Sequence, residues 1–186
     1  MSKLIFVMLM IGAIRAFSAV DLGKVSGFDL VSGQVVTKNS QGKKALVIIF
    51  LSSVCPCSNS HVSELKSLSQ EYPEFSFVAM HSNSEEDEDD AKKYFTSLDL
   101  NFPVIQDKNA EFADLYKALK TPHVFVVSPE GKVIYQGGVS NSRQLAQADR
   151  KYLREALGEI NNGKPVSSPK TRTLGCVISR GETHAR

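Results

Sequence analysis

Hydrophobic and polar positions change period several times along the chain, and each change marks an element. Residues 25–36, VSGFDLVSGQVV, alternate weakly and turn at Ser32-Gly33, which predicts a short β-hairpin. Residues 45–51, ALVIIFL, are an unbroken apolar run, the habit of a central parallel strand covered on both faces. Val62, Leu65, Leu68 and Tyr72 then recur at helical spacing and stop at Pro73, so a helix begins close to the segment SSVCPCSNS. Residues 75–80 read as a strand. Residues 85–98 read as a helix with Ala91, Tyr94, Phe95 and Leu98 inward.

Residues 102–105 are short and strand-like, and 110–119 are helical through Phe112, Leu115, Tyr116 and Leu119. Residues 123–127 and 133–136 flank Pro129-Glu130-Gly131, a hairpin with its turn written in. A last helix over 148–160 carries Tyr152, Leu153, Ala156, Leu157 and Ile160 and stops before Asn161-Asn162-Gly163. Strand–helix–strand crossovers followed by an antiparallel hairpin predict an α/β fold of three layers, a mixed central sheet with helices on both faces. Beyond Gly163 the tail has two prolines and a net charge of +4, yet holds Leu174-Gly175-Cys176-Val177, an apolar stretch that a solvated tail has no reason to carry.

The 186 residues, 42% hydrophobic and 23% charged, suit one globular domain that rests on packing, since three cysteines are too few to knit it. The first residues place Lys3 ahead of an apolar run to Ile14 and end in Ser18 and Ala19, the form of a cleavable secretory signal; the run is short for a membrane span. The expected organisation is therefore a leader over 1–19, a domain over 20–162 and a tail over 163–186. Cleavage removes Lys3 and Arg15 and no acid, which takes the net charge from +2 to 0 and argues against general nucleic-acid binding. A periplasmic or secreted location also allows a thiol pair to stay oxidised.

Cys55 falls just past the carboxyl end of the buried strand and just before a helix, where chemistry gathers in open α/β sheets. Free N–H groups and the helix dipole there favour thiolate over thiol. Pro56 fits the first helical turn. Cys57 is near enough to react with Cys55, but a bridge two residues apart closes a small strained ring. Cys176 is the remaining sulfur, and its 13-residue tether from Gly163 can span over roughly 40 Å of extended chain, so it can return to the site. The acids Glu85 to Asp90 read as a solvated helix start suited to the dipole. His61, His81 and His123 read first as ordinary polar residues; Cys55, Cys57 and His61 together form an alternative soft-metal set suited to Cu(I).

These residues carry a resemblance. The Phe-x4-Cys approach in VIIFLSSVC, Thr121-Pro122 followed by HVFVV, and the stretch FPVIQDKNAEFADLYKALKTPHVFVVSPEGKVIYQGG resemble the thioredoxin-like redoxins, including their peroxiredoxin-like branch, over about residues 24–162. Cys55-Pro56-x-Ser58-Asn59 with a Gly175-Cys176 tail resembles a subgroup of exported redoxins. The resemblance implies a thioredoxin-like α/β/α sandwich with an N-terminal β-hairpin and thiol–disulfide oxidoreductase activity. It further implies Cys55 as nucleophile, Cys57 or Cys176 as resolving thiol, and Thr121 with a cis Pro122 at the substrate. Departures accompany it. Ile49 stands where thioredoxins keep a buried acid, Ser58 stands in the usual second-cysteine slot, and Ile48 and Ser52 replace the peroxidatic Pro and Thr. Pro122 falls on the peroxidatic Arg, so peroxidase activity is expected to be weak. No nucleotide, flavin or haem motif is present, so no cofactor is expected. The expected partners are protein or small-molecule thiols and disulfides and a thiol electron-donor or acceptor protein.

Overall fold

The computed structural model of the protein describes residues 21–181. The expected leader lies outside them. Among the described residues no helix is long and apolar enough to cross a membrane.

Strands β1 (Lys24–Phe28) and β2 (Val35–Asn39) form the expected antiparallel hairpin. Asp29 fixes its turn by accepting from Ser32 and the Val31 N–H, and ties it to the domain by accepting from the Val104 N–H at 2.9 Å. The main sheet contains β3 (Leu46–Leu51), β4 (Ser76–His81), β5 (Val104–Gln106), β7 (His123–Val127) and β8 (Val133–Gly137), in the order β5-β4-β3-β7-β8. Its β3-β4 and β4-β5 pairs are parallel and its β3-β7 and β7-β8 pairs antiparallel, the mixed sheet expected. Every residue of β3 is buried, as a strand covered on both faces requires.

The two faces are packed differently. Val47, Ile49 and Leu51 point to helices α1 (Pro56–Glu71), α2 (Glu88–Ser97) and α4 (Tyr152–Asn161) through Leu65, Leu68, Phe95, Leu153 and Leu157. Leu46, Ile48 and Phe50 point to α3 (Glu111–Tyr116) and to Val25 of the hairpin. Truncating a side chain such as Leu65 in so closed a layer costs about 2–5 kcal/mol. Helix α2 begins at Glu88, three residues later than its acidic run suggests, because the Asp87 carboxylate accepts from the N–H groups of Asp89 and Asp90 and so caps it. Helix α4 begins at Tyr152; the residues before it form a short 3-10 turn at Leu145–Gln147.

The tail is part of the domain. From α4 it returns along β8, where Pro169 and Thr171 exchange backbone hydrogen bonds with Gln136. It then forms β9 (Cys176–Val177), paired antiparallel with β6 (Lys120–Thr121). The apolar residue that anchors it is Ile178, 2% exposed in the α3-side core, whereas Val177 is 71% exposed. Alternation along a strand sends neighbours to opposite sides, so only one of the pair can be buried. Past the strand, Arg180 Nε donates to Asp114 at 2.6 Å and its Nη2 to the Ala118 carbonyl at 2.8 Å.

Candidate active site

Cys55 is the N-cap of α1, with extended backbone angles and Pro56 at the first helical position. Its N–H donates to Ser52 Oγ at 3.0 Å. Its sulfur lies 3.3 Å from the Thr121 carbonyl, to which the thiol donates. The Thr121-Pro122 bond is cis, as the resemblance implied. Cys57 sits one position into the helix, and β9 brings Cys176 opposite Thr121. The three sulfurs lie within 4.8 Å of one another, all as free thiols. Cys55 and Cys57 are 1% and 6% exposed, while Cys176 is half-buried.

Burial pushes the Cys55 thiol up, but the Cys176 thiol, the nearby Thr121 side chain and the N–H groups of Ser58 and Cys176 outweigh it and bring it down to about 7. Cys176 is pushed up to about 12 by burial and by holding its proton toward Cys55. Cys57 is raised by burial and by the neighbouring Cys55 charge. One sulfur thus carries the negative charge and two carry protons toward it. That asymmetry decides which sulfur attacks and which leaves, because both follow thiolate stability.

Ile49 leaves the thioredoxin-type acid position apolar, but a carboxylate reaches the site from elsewhere. Glu86 Oε1 accepts from Ser52 Oγ at 2.6 Å, and its Oε2 accepts from the Ser53 N–H at 2.8 Å and the Ser53 hydroxyl at 2.5 Å. His81 Nε2 lies 3.0 Å from the same oxygen, and its Nδ1 bonds Gln106. Burial opposes ionisation of Glu86, yet the bonds from His81, Ser52 and Ser53 hold its carboxyl at about 2. In sequence, nothing separates Glu86 from the five acids beside it. Because Ser52 gives its one hydroxyl proton to Glu86, it has none to offer a peroxide in place of the missing threonine.

The alternative soft-metal set needs a correction. His61 is 1% exposed and uses Nδ1 on the Cys57 carbonyl and Nε2 on Ser140 Oγ, each at 2.8 Å. Both ring nitrogens are occupied, so His61 braces the first turn of α1, and the third soft donor beside Cys55 and Cys57 is Cys176. His123 is also buried, at the start of β7, and burial holds its ring down at about 4.

A mixed sheet with a cysteine at the head of α1, a cis-proline loop facing it and three helices on one face defines a thioredoxin-like protein. The Redoxin family model matches residues 23–154, most of the chain, and the protein belongs to that family. It is similar to the thiol-disulfide oxidoreductase ResA of Oceanobacillus iheyensis, 28% identical over 102 residues, 54% of this chain and 53% of that protein. The chain therefore matches about half the length of that curated relative. An uncharacterized conserved protein from Geobacillus kaustophilus superposes with a TM-score of 0.78 at 27% identity, over 87% of this chain and 91% of that one. StoA from Bacillus subtilis superposes with a TM-score of 0.53 at 18% identity, over 61% of this chain and 85% of its own, a likeness of fold.

Proposed function

We propose that the protein is an exported thiol–disulfide oxidoreductase in which Cys55 is the reactive sulfur and Cys176 its partner. The observation that carries this is the cluster of three sulfurs within 4.8 Å in which Cys55 alone is brought down to about 7. At neutral pH about half of Cys55 is thiolate, near the optimum for exchange. Its thiolate attacks one sulfur of a substrate disulfide; that S–S bond breaks, and one substrate thiolate leaves with the electron pair. Cys176 then gives up its proton and attacks Cys55 Sγ, releasing the second substrate thiolate. The chain is left with a Cys55–Cys176 disulfide, two electrons poorer, and two thiols of an external donor return it to the reduced state as they form a disulfide. Cys57 is the alternative resolving thiol. The printed name of the Oceanobacillus relative supports the reaction class, and the leader-like residues 1–19 support export.

The test is exchange with a model dithiol–disulfide couple. Cys55→Ser is expected to abolish it. His61→Ala, whose ring is committed to Cys57 and Ser140, is expected to lower stability and leave exchange within about twofold. Full exchange by the serine variant would sink the assignment.

The sulfur cluster also supports a second reading, a Cu(I) carrier. Three thiolates about 2.3 Å from one ion sit roughly 4 Å apart, inside the observed limit of 4.8 Å. Tight stoichiometric copper in the purified chain, lost on Cys57→Ser, would favour the carrier over the enzyme.

A further inference from the structure

Thioredoxin-like domains offer an extended chain the backbone beside the cis proline, and here that edge is taken. Thr121 and Lys120 are already paired with Cys176 and Val177. The pairing is closed on both sides. Gly175 passes so near that a Cβ there would lie 1.9 Å from the Thr121 carbonyl oxygen, and Ile178 N–H donates to the Leu119 carbonyl at 3.0 Å. A polypeptide substrate cannot add a strand without evicting a buried isoleucine and the Arg180–Asp114 ion pair.

What remains open lies on the other side of Cys176. A cavity of about 340 Å³ is bordered there by Cys176, Asn83, Glu85, Glu86, Asp87 and Asp90, and neither Cys55 nor Cys57 lines it. Among the described residues its borders hold four carboxylates and no Lys or Arg; Asp90 shares its charge with Lys93, and Glu86 faces Ser52, Ser53 and His81. Arg143, a cation that acts on Cys57, is not among the residues bordering this cavity. Asn83 is 5% exposed; its oxygen accepts from the Ser179 N–H at 2.9 Å, but its amide N–H group has no partner among the described residues. A buried donor without an acceptor is destabilising, and a ligand carbonyl would relieve it.

We propose that this cavity is the entrance for a small cationic thiol, an aminothiol bearing a carbonyl acceptor, which reacts at Cys176 instead of pairing as a strand at Thr121. The inference rests on the Cys55–Cys176 exchange reading above. In the disulfide form of the chain, the incoming thiolate attacks Cys176 Sγ, the outer sulfur. The Cys55–Cys176 bond breaks and its electron pair leaves on Cys55, the better leaving group of the two because its thiolate is the more stabilised. A second small thiol attacks the bound ligand's sulfur and frees Cys176, so two small thiols become one small disulfide and the chain gains two electrons. The four carboxylates concentrate cations at the mouth and repel anionic thiols.

The test reduces the oxidised chain with cysteamine, 2-mercaptoethanol and 2-mercaptoethanesulfonate, each rate divided by that of the same thiol with a neutral reference disulfide. The corrected cationic rate is expected to exceed the anionic one by about tenfold or more at about 10 mM salt, and the gap to close at about 1 M. Glu85→Gln with Asp87→Asn is expected to remove most of the gap, chiefly by raising the 2-mercaptoethanesulfonate rate and lowering the cysteamine rate; Asn at 87 preserves the helix cap. Cysteine methyl ester, which adds a carbonyl, is expected to exceed cysteamine. Acid quenching and peptide mapping are expected to find the adduct on Cys176. Equal corrected rates, an adduct on Cys55, or faster exchange with an extended cysteine peptide would overturn the proposal. If no thiol of any charge reduces the chain, it is the exchange reading that fails.

Discussion

Cys176 lies directly opposite Thr121 in an antiparallel register, and its sulfur comes within 4.8 Å of that of Cys55, a residue 121 positions earlier in the chain. The last strand is thus the wall of the site that faces the helix. It supplies a hydrogen bond that favours the Cys55 thiolate and at the same time covers it. Activation and shielding come from the same segment, so loosening the tail should separate them.

Gly175→Ala does this with one methyl. The added carbon would meet the Thr121 carbonyl oxygen at 1.9 Å and its carbon at 2.7 Å, both backbone atoms that cannot turn aside. The strand has to lift. Alkylation of Cys55 by iodoacetamide at pH 8 is expected to rise by about tenfold as the sulfur becomes accessible, and trypsin is expected to cut at Arg172 and Arg180. An alkylation rate equal to the parent's would show that the tail does not shield Cys55.

The thiols also set a pH dependence. Between about 7 and the usual thiol value of 9, an unfolded chain keeps the Cys55 proton and the folded one has lost it, so the stability of the reduced protein rises with pH. Between 9 and about 12 the folded chain keeps the Cys176 proton that the unfolded chain loses, so stability falls. Subtracting the stability of a Cys55→Ser, Cys176→Ser variant from that of the reduced parent, by urea denaturation across this range, is expected to give a curve that peaks near 9. A flat difference would mean that neither thiol is shifted by folding.

The strands and helices were legible because their apolar periods are strong: ALVIIFL is β3 and the Leu65 and Leu68 spacing is α1. Element edges were less so. The acid run reads as continuous helix, but Asp87 binds the N–H groups of the first turn and so stands outside it. Cys55 was legible from its place between strand and helix. The apolar stretch Leu174-Gly175-Cys176-Val177 marked the tail as more than a solvated extension, but strand alternation leaves Val177 exposed and gives the buried role to Ile178. His61 reads in sequence as a solvated helix residue, or in the alternative as a ligand, because spacing shows proximity on a helix and says nothing of Ser140, 79 residues away, which takes its second nitrogen and buries the ring. Glu86 was hidden for the same reason, as its partners Ser52 and Ser53 are contributed by a distant loop.

Glu86→Gln therefore tests a residue that only the fold reveals. Four donors converge on its carboxylate, from the Ser52 hydroxyl, both groups of Ser53 and the His81 ring. A glutamine has one acceptor oxygen to offer and presents an N–H group to the remaining donors. With a side chain only 8% exposed, solvent cannot compensate, and the variant is expected to lose about 2–4 kcal/mol at pH 7. The loss should depend on pH in a definite direction. Glu86 is held at about 2 in the fold against 4.5 ordinarily, so its contribution is complete above about 4.5 and disappears as pH falls through 2. Parent and variant should thus converge in urea denaturation as pH is lowered from 5 to 2. Glu86 acts on Cys55 through Ser52, whose oxygen holds the Cys55 N–H, so the midpoint of Cys55 alkylation against pH should move above 7 in the variant. A variant that loses stability with the alkylation midpoint unmoved would confine Glu86 to the scaffold and remove it from the positioning of the nucleophile.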